Sequence, residues 1–374
     1  MGDSMVACQG GTKAAMRRVL VTGGVGFIGS CFVRRLMRTQ PDVELYVVDA
    51  VTYAGNCANL PEEIWSDPRF FFWKANIRDR DLITRLVSKV DAVVHFAAET
   101  HVDHSIYSTD VFIDTDLKGT QILADAIRHH PVDRFIHIST SEVYGTAMEA
   151  PMSEDHALNP RSPYASAKCG ADRLVYSYVT TFGIPAVILR PFNNYGPYQH
   201  IEKVIPCCIT QALQDLPLPI HGDGKSSRDW LFVEDCCEAI ERALLVDRKA
   251  IHGEAMNVGT GVDTAIQTIA EKILRILEKP QSLIQHVTDR PGQVSRHISS
   301  TRKAWERLGW RAKTPLEEGL QATVRWYAEH EAWWKMNTHM EGASWIPHAR
   351  PHRPEKPVVA SVQTAMAKSA ALVS

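Results

Sequence analysis

The sequence predicts an α/β protein, a doubly wound parallel sheet with a smaller C-terminal lobe, and three observations carry that prediction. A glycine-rich turn, Gly23-Gly24-Val25-Gly26-Phe27-Ile28-Gly29, stands between a short apolar run and an amphipathic one. Five more short apolar runs alternate with helical patterns as far as residue 190, as expected of parallel strands with helices between them. From Arg190 the texture turns irregular and is marked by Pro and Gly, as in loops that a rigid scaffold holds over a ligand.

Residues 1–16 are polar and Gly-rich and are expected to be disordered. Residues 18–22 read as the first strand. In the turn behind it, Gly23, Gly26 and Gly29 allow a tight bend and a close approach to a pyrophosphate. The helix that follows, residues 30–39, offers its free N–H groups. The second strand, residues 44–48, ends on Asp49, 20 residues after Gly29. A carboxylate there binds ribose hydroxyls and repels a 2′-phosphate, so NAD is the expected cofactor rather than NADP. The plainer role for Asp49 is a turn cap. Residues 70–73 read as the third strand, with Asn76 and Ile77 on an adenine-side loop. Residues 92–96 read as the fourth, ending in Ala97-Ala98-Glu99-Thr100-His101, and residues 135–138 and 186–189 as the fifth and sixth.

Ser139, Thr140, Ser141 and Glu142 stand where the fifth strand ends. After Asn159-Pro160-Arg161-Ser162-Pro163 a helical pattern runs to about Thr181. It sets Tyr164 and Lys168 one turn apart on one face. An ammonium beside a phenol favours the phenolate. A carboxylate, several hydroxyls and an activated phenol thus converge at the strands' C-terminal edge, where open α/β sheets bind ligands. Singly, each piece is ordinary: Thr-Ser-Glu after a strand usually caps a helix. Their order behind a nucleotide-binding turn makes them a candidate active site.

In the second lobe, residues 191–197, 216–219 and 222–224 read as loops, residues 233–245 as a helix, and residues 314–334 as a late amphipathic helix. Residues 344–374 read as a flexible tail, rich in Pro and then in Ala and Ser. The chain has 374 residues, 45% hydrophobic and 22% charged, with net charge −2. No nucleic-acid partner is expected from that balance. No apolar run reaches the roughly 18 residues of a membrane span, and the N-terminus lacks a signal-peptide core, so a cytoplasmic location is expected. Eight cysteines without Cys-x-x-Cys spacing read as reduced thiols. Sixteen scattered histidines suggest no metal site.

Together these motifs resemble the extended short-chain dehydrogenase/reductase family. Within it they are most similar to the nucleotide-sugar 4,6-dehydratases, the dTDP-glucose branch above all. The likeness covers about residues 17–335. It rests on residues 22–29, 52–56, 95–106, 139–145, 162–168, 193–197, 202–206, 228–231, 257–259 and 289–292. It implies a Rossmann domain over residues 17–190, to which later segments return, and a nucleotide-sugar-binding lobe mainly over residues 191–343. By resemblance, Tyr164, helped by Lys168, takes the proton of the sugar's 4-hydroxyl, Thr140 holds the 4-oxygen, and C4 gives a hydride to NAD. Glu142 then removes the C5 proton, water leaves from C6, and the hydride returns to C6. The resemblance assigns NAD binding to Gly23, Gly26, Phe27, Ile28, Gly29, Asp49, Thr52, Asn76, Ile77, Ala97, Ala98, Thr115, Tyr164, Lys168 and Asn194. It assigns the nucleotide-diphosphate sugar to Thr100, Asn193, Lys203, Val204, Pro219, Ile220, His221, Arg228, Asn257 and Arg296. A homodimer is implied too, with Leu174, Val175, Tyr178 and Val179 of the tyrosine's helix in its interface.

Four departures qualify the likeness. Ser141 stands where the dTDP-glucose enzymes carry the Asp that protonates the leaving hydroxyl, although GDP-mannose dehydratases carry Thr-Ser-Glu. His104 replaces an Arg, Asn76 an Asp, and Gln293-Val294-Ser295-Arg296 a His-Asp-Arg-Arg. Since UDP-glucuronate decarboxylases also carry Thr-Ser-Glu, that activity or a 4-epimerase is the alternative. It would need a cation for a C6 carboxylate, with His104, Arg161 and Arg296 as candidates. A non-catalytic NAD- or sugar-nucleotide-binding protein is the third reading.

Overall fold

The computed structural model describes residues 16–289, 292–338 and 360–373. The expected disorder of residues 1–15, the matched pair Arg290-Pro291 and the first half of the expected tail lie outside the described residues.

Twelve strands are described: β1 Arg18–Thr22, β2 Glu44–Asp49, β3 Phe70–Lys74, β4 Ala92–His95, β5 Arg134–Ile138, β6 Ala186–Pro191, β7 Asn193–Tyr195, β8 Leu218–His221, β9 Ser227–Phe232, β10 Ala255–Val258, β11 Asp263–Ala265 and β12 Ile284–Val287. Seven form one sheet in the order β10-β6-β5-β4-β1-β2-β3, every pair parallel. Leu20 pairs with Tyr46 on one side and Val93 on the other, so the order reverses at β1. Along β1, Val19 and Val21 enter one core and Leu20 the other. A sheet buried on both faces needs continuous apolar strands, which is why β1 to β6 are visible in the sequence.

The helix Phe27–Thr39 starts at the glycine turn. A Cβ on Gly23, whose φ is +73°, would meet Ala97 N at 2.6 Å, and one on Gly29 would meet Gly23 O at 2.1 Å. Only glycine fits either place. The helix Pro163–Phe182 is begun by Ser162, whose hydroxyl accepts from Ala165 N at 3.1 Å, with Pro163 at its first position. Gly183, at φ +69°, ends it.

The second lobe has its own core around Tyr195, Ile209, Ile220, Trp230, Ile273, Leu320 and Tyr327. Here the structure corrects several sequence expectations. Residues 193–195 and 218–219, expected as loops, lie in β7 and β8, which pair with β9 and β12. Such short strands get their register from distant partners. The segment expected as one helix over residues 314–334 is two, Leu316–Glu329 and Glu331–Thr338, separated at His330. Strand β10 returns from beyond the second lobe's first strands to extend the main sheet beside β6.

The expected flexible tail is also corrected where it is described. The helix Ala360–Ala371 lies against β3, with Val362, Ala365 and Ser369 buried. Phe72 N donates to Ser369 Oγ at 2.7 Å, and Lys368 Nζ reaches Pro68 O at 2.6 Å. The residues that seat this helix are small, so it carries little apolar periodicity for sequence reading to detect. Among the described residues seven cysteines are free, and no helix is long and apolar enough to cross a membrane.

Candidate active site

A cavity of about 410 Å³ opens along the C-terminal ends of the main sheet's strands and is closed over by the second lobe. All fifteen residues that the sequence reading assigns to the cofactor stand on its wall. Asp49 is held there by two backbone donors, Val25 N at 3.0 Å and Val51 N at 2.7 Å. The close packing around Gly23 and Gly29 and the carboxylate at the end of β2 fit a dinucleotide.

Thr140, Glu142, Tyr164 and Lys168 line the same wall. The Thr140 hydroxyl accepts from Glu142 N at 3.2 Å and so starts the single helical turn Ser141–Tyr144. Burial raises the Tyr164 phenol's pKa, and the Asp116 carboxylate adds to the rise, while a hydrogen bond with Thr140 works the other way. Burial lowers the Lys168 ammonium against the pull of Asp116 and Asp172, and its Nζ donates to Ile138 O at 2.7 Å.

Beneath them lies a buried polar network. Ser139 Oγ donates to Asp172 at 2.7 Å, and Asp172 is paired with Arg190 at 2.9 Å. Burial works to raise the Asp172 carboxyl, but Arg190 overrides it and holds the group below the usual carboxylate range. Arg190 also donates to Tyr144 Oη at 2.8 Å, and Tyr144 donates to Asn257 Oδ1 at 2.8 Å. This network ties β5, β6 and β10 together beneath Thr140, Glu142, Tyr164 and Lys168.

Seven of the ten residues expected to bind substrate line the other end: Thr100, Asn193, Lys203, Val204, Pro219, His221 and Arg228. Three do not, and each has a physical reason. Ile220 alternates inward into the second lobe's core. Asn257 is fully buried, its side chain engaged by Tyr144 and Met152 O. Arg296 is drawn outward by Asp263 at 2.8 Å. Ser141, expected among the catalytic residues, is also off the wall: it is buried, with its hydroxyl 3.4 Å from His297 Nδ1.

Several groups escaped sequence reading. Asp116 lies on a wide helical stretch, Ile113–Gly119, of the kind found at functional sites. Burial pushes its carboxyl up to about 7. Glu99 N donates to its Oδ1 at 2.7 Å, while Oδ2 has no hydrogen-bond partner among the described residues. Glu202, on the wall beside Lys203, lies 3.5 Å from both His101 and His200. Burial works to raise it, and those cationic or polar neighbours outweigh that and lower it. His101, His104 and Glu202 bring ligand-type atoms within 4.8 Å of one another, a grouping that their sequence positions hide. Two contacts oppose a cation there: His101 Nδ1 already accepts from His104 N at 3.1 Å, and the Lys203 ammonium lies 3.7 Å from Glu202. Glu202 belonged to a matched segment and could have been found from it; Asp116 and His297 carry no local signal.

A family profile described as GDP-mannose 4,6 dehydratase matches residues 20–323. A dTDP-glucose 4,6-dehydratase from Actinoplanes sp. is 42% identical over 322 residues, covering 85% of this chain and 99% of that relative. Among solved structures, DesIV, a dTDP-glucose 4,6-dehydratase from Streptomyces venezuelae with NAD and TYD bound, superposes with a TM-score of 0.82. It is 41% identical over 86% of this chain and 99% of that one. A UDP-glucuronic acid 4-epimerase from Bacillus cereus, with UDP-glucuronic acid and NAD, superposes with a TM-score of 0.78. It is 30% identical over 83% of this chain and 99% of that one.

Proposed function

The chain belongs to the GDP-mannose 4,6-dehydratase family, and on that footing we propose that it is an NAD-dependent nucleotide-sugar 4,6-dehydratase. The observation that carries this reading is one continuous wall joining the glycine turn and Asp49 to Thr140, Glu142, Tyr164 and Lys168. Bound NAD supplies a reversible hydride acceptor. Tyr164 takes the proton from O4 as C4 is oxidised, Lys168 favours its phenolate form, and Thr140 holds O4. The new ketone acidifies the C5 hydrogen, and Glu142 removes it. The C6 hydroxyl takes that proton and leaves as water, and the resulting alkene accepts the hydride at C6 and a proton from solvent at C5. Lys203 and Arg228, at the far end of the wall, suit a diphosphate in charge and geometry.

Decarboxylation or epimerisation of an acidic sugar would need a cation for the C6 carboxylate. None of its three candidates, His104, Arg161 and Arg296, is on the wall, which favours dehydration. A purely binding role has no use for the four reacting groups on one wall. Incubation with NAD and, separately, dTDP-glucose, GDP-mannose, UDP-glucose and UDP-glucuronate tests the reading by mass spectrometry. Loss of water with a 4-keto-6-deoxy product is expected from one neutral sugar. Loss of carbon dioxide from UDP-glucuronate, without any dehydrated product, would overturn it.

The division into a cofactor domain over residues 17–190 and a sugar lobe mainly over residues 191–343 is part of the same proposal, as are a homodimer and a cytoplasmic location. Free thiols support the location. The proposed dimer contact is drawn from the neighbours of the four residues first expected in it. Val175 and Tyr178 are buried in a core of the main sheet, with Leu174 and Val179 packed on it. Tyr107, Ile113 and Tyr176 are among the exposed apolar side chains of that neighbourhood, and they support an interface there.

A further inference from the structure

The turn that carries Glu142 is closed from behind by a residue from the far end of the chain. His297 is fully buried, its backbone N–H donating to Ser227 O at 3.0 Å and its ring edge-on to Phe192. Its Nε2 lies 2.7 Å from the carbonyl oxygen of Gly145. A carbonyl only accepts, so Nε2 carries the hydrogen. In the neutral ring, which burial favours, Nδ1 is then an acceptor, reached at rest by a long hydrogen bond from the Ser141 hydroxyl. It faces two groups, the Ser141 hydroxyl at 3.4 Å and Glu142 Oε1 at 3.9 Å. Ser141 thus turns from the cavity toward His297, and Glu142 is left as the turn's only carboxyl.

We propose that His297 is a positioning residue that holds the proton on Glu142 between its arrival from C5 and its departure. The inference rests on the dehydration reading. As the C5–H bond breaks, its electron pair enters the C4–C5 bond and is shared with O4, and the proton lands on Glu142. The carboxyl O–H then finds an acceptor in Nδ1, roughly 1 Å beyond hydrogen-bond reach in the resting structure. A carboxylate gains nothing from a lone pair. The contact therefore favours only the state after proton transfer, which lowers the barrier to breaking the C5–H bond. The same proton next passes to O6 as the C6–O bond breaks, and water leaves, with no further reactant needed.

The full-length enzyme with the nucleotide sugar it turns over tests this through two near-isosteric variants. In His297→Gln the amide can still donate to Gly145 O, but no acceptor stands at the place of Nδ1. In His297→Asn the amide oxygen can take that place. Three readouts are compared: nicotinamide absorbance in the first turnover, deuterium uptake at C5 from D2O, and kcat with KM. His297→Gln is expected to lower C5 exchange and kcat by about 10- to 100-fold, with C4 oxidation and KM within about twofold; His297→Asn recovers most of the loss. Unchanged C5 exchange in His297→Gln overturns the proposal. So does an equal fall of C4 oxidation, KM quality and kcat in both variants, which would be a packing effect. If the native enzyme itself forms no dehydrated product, the dehydration reading and this one fall together; native dehydration with an unaffected His297→Gln removes this one alone.

Discussion

The proposed reacting groups depend on single side chains whose neighbours decide their charge. Glu142→Gln keeps the shape of the turn but removes the base, so product formation should fall by about 10²- to 10⁴-fold while first-turnover nicotinamide reduction persists; rapid-mixing absorbance measures the difference. Asp116 offers a stability test. Burial pushes its folded carboxyl up to about 7 from the usual 3.8, so between those values the native state holds a proton that the unfolded chain has lost. Stability is therefore complete near pH 4 and falls as pH rises toward 7. Asp116→Asn removes that loss and keeps an acceptor for Glu99 N, so its gain in Tm should be larger at pH 8 than at pH 5. Calorimetry at the two pH values checks the sign. Neither Asp116 nor His297 was legible in the sequence, because their importance comes from distant partners, Lys168 in one case and the turn at Ser141 in the other. Tyr164, Lys168, Glu142 and Asp49 were legible because local spacing and strand ends position them. Ile220, Asn257 and Arg296 stand in matched neighbourhoods too, but strand alternation, a buried hydrogen bond and an outer carboxylate turn them elsewhere.

Elements were visible in proportion to how far their own residues determine them. Strands β1 to β6 show as apolar runs because both faces of the sheet are covered. The glycine turn shows because no side chain fits at Gly29, where a Cβ would meet a carbonyl oxygen at 2.1 Å. Gly29→Ala should accordingly lose most NAD binding, as measured by calorimetric titration, with a fall in Tm. By contrast β7, β8, β11 and β12 take three or four residues each and draw their register from partners far along the chain. The C-terminal helix was hidden for another reason: small residues seat it, and its anchors are a serine and a lysine. Ser369→Ala leaves the Phe72 N–H buried without its acceptor, a loss of about 1–3 kcal/mol that urea denaturation should report as a lower midpoint with an unchanged slope.

At the scale of the whole molecule, one cavity runs from the glycine turn, where the proposed cofactor groups stand, to Lys203 and Arg228 at the far end of the same wall. The polar network of Asp172, Arg190, Tyr144 and Asn257 ties the sheet's last strands together under that cavity. Because Asp172 is held below the usual carboxylate range, its contribution is present above the unfolded value and is lost as pH falls through the folded one. Asp172→Asn should therefore destabilise by about 3–5 kcal/mol at neutral pH and by less in acid. If the exposed face around Tyr176 is the dimer contact, Tyr176→Glu should shift the sedimentation coefficient toward that of a monomer without unfolding the protein.

The seating of Ala360–Ala371 against β3 has a practical corollary. The outermost rung of the sheet, which in many proteins invites a foreign strand to zip on, is shuttered here by the helix Ala360–Ala371. Prising Ala360–Ala371 from β3 would lift that shutter and expose a template for clumping.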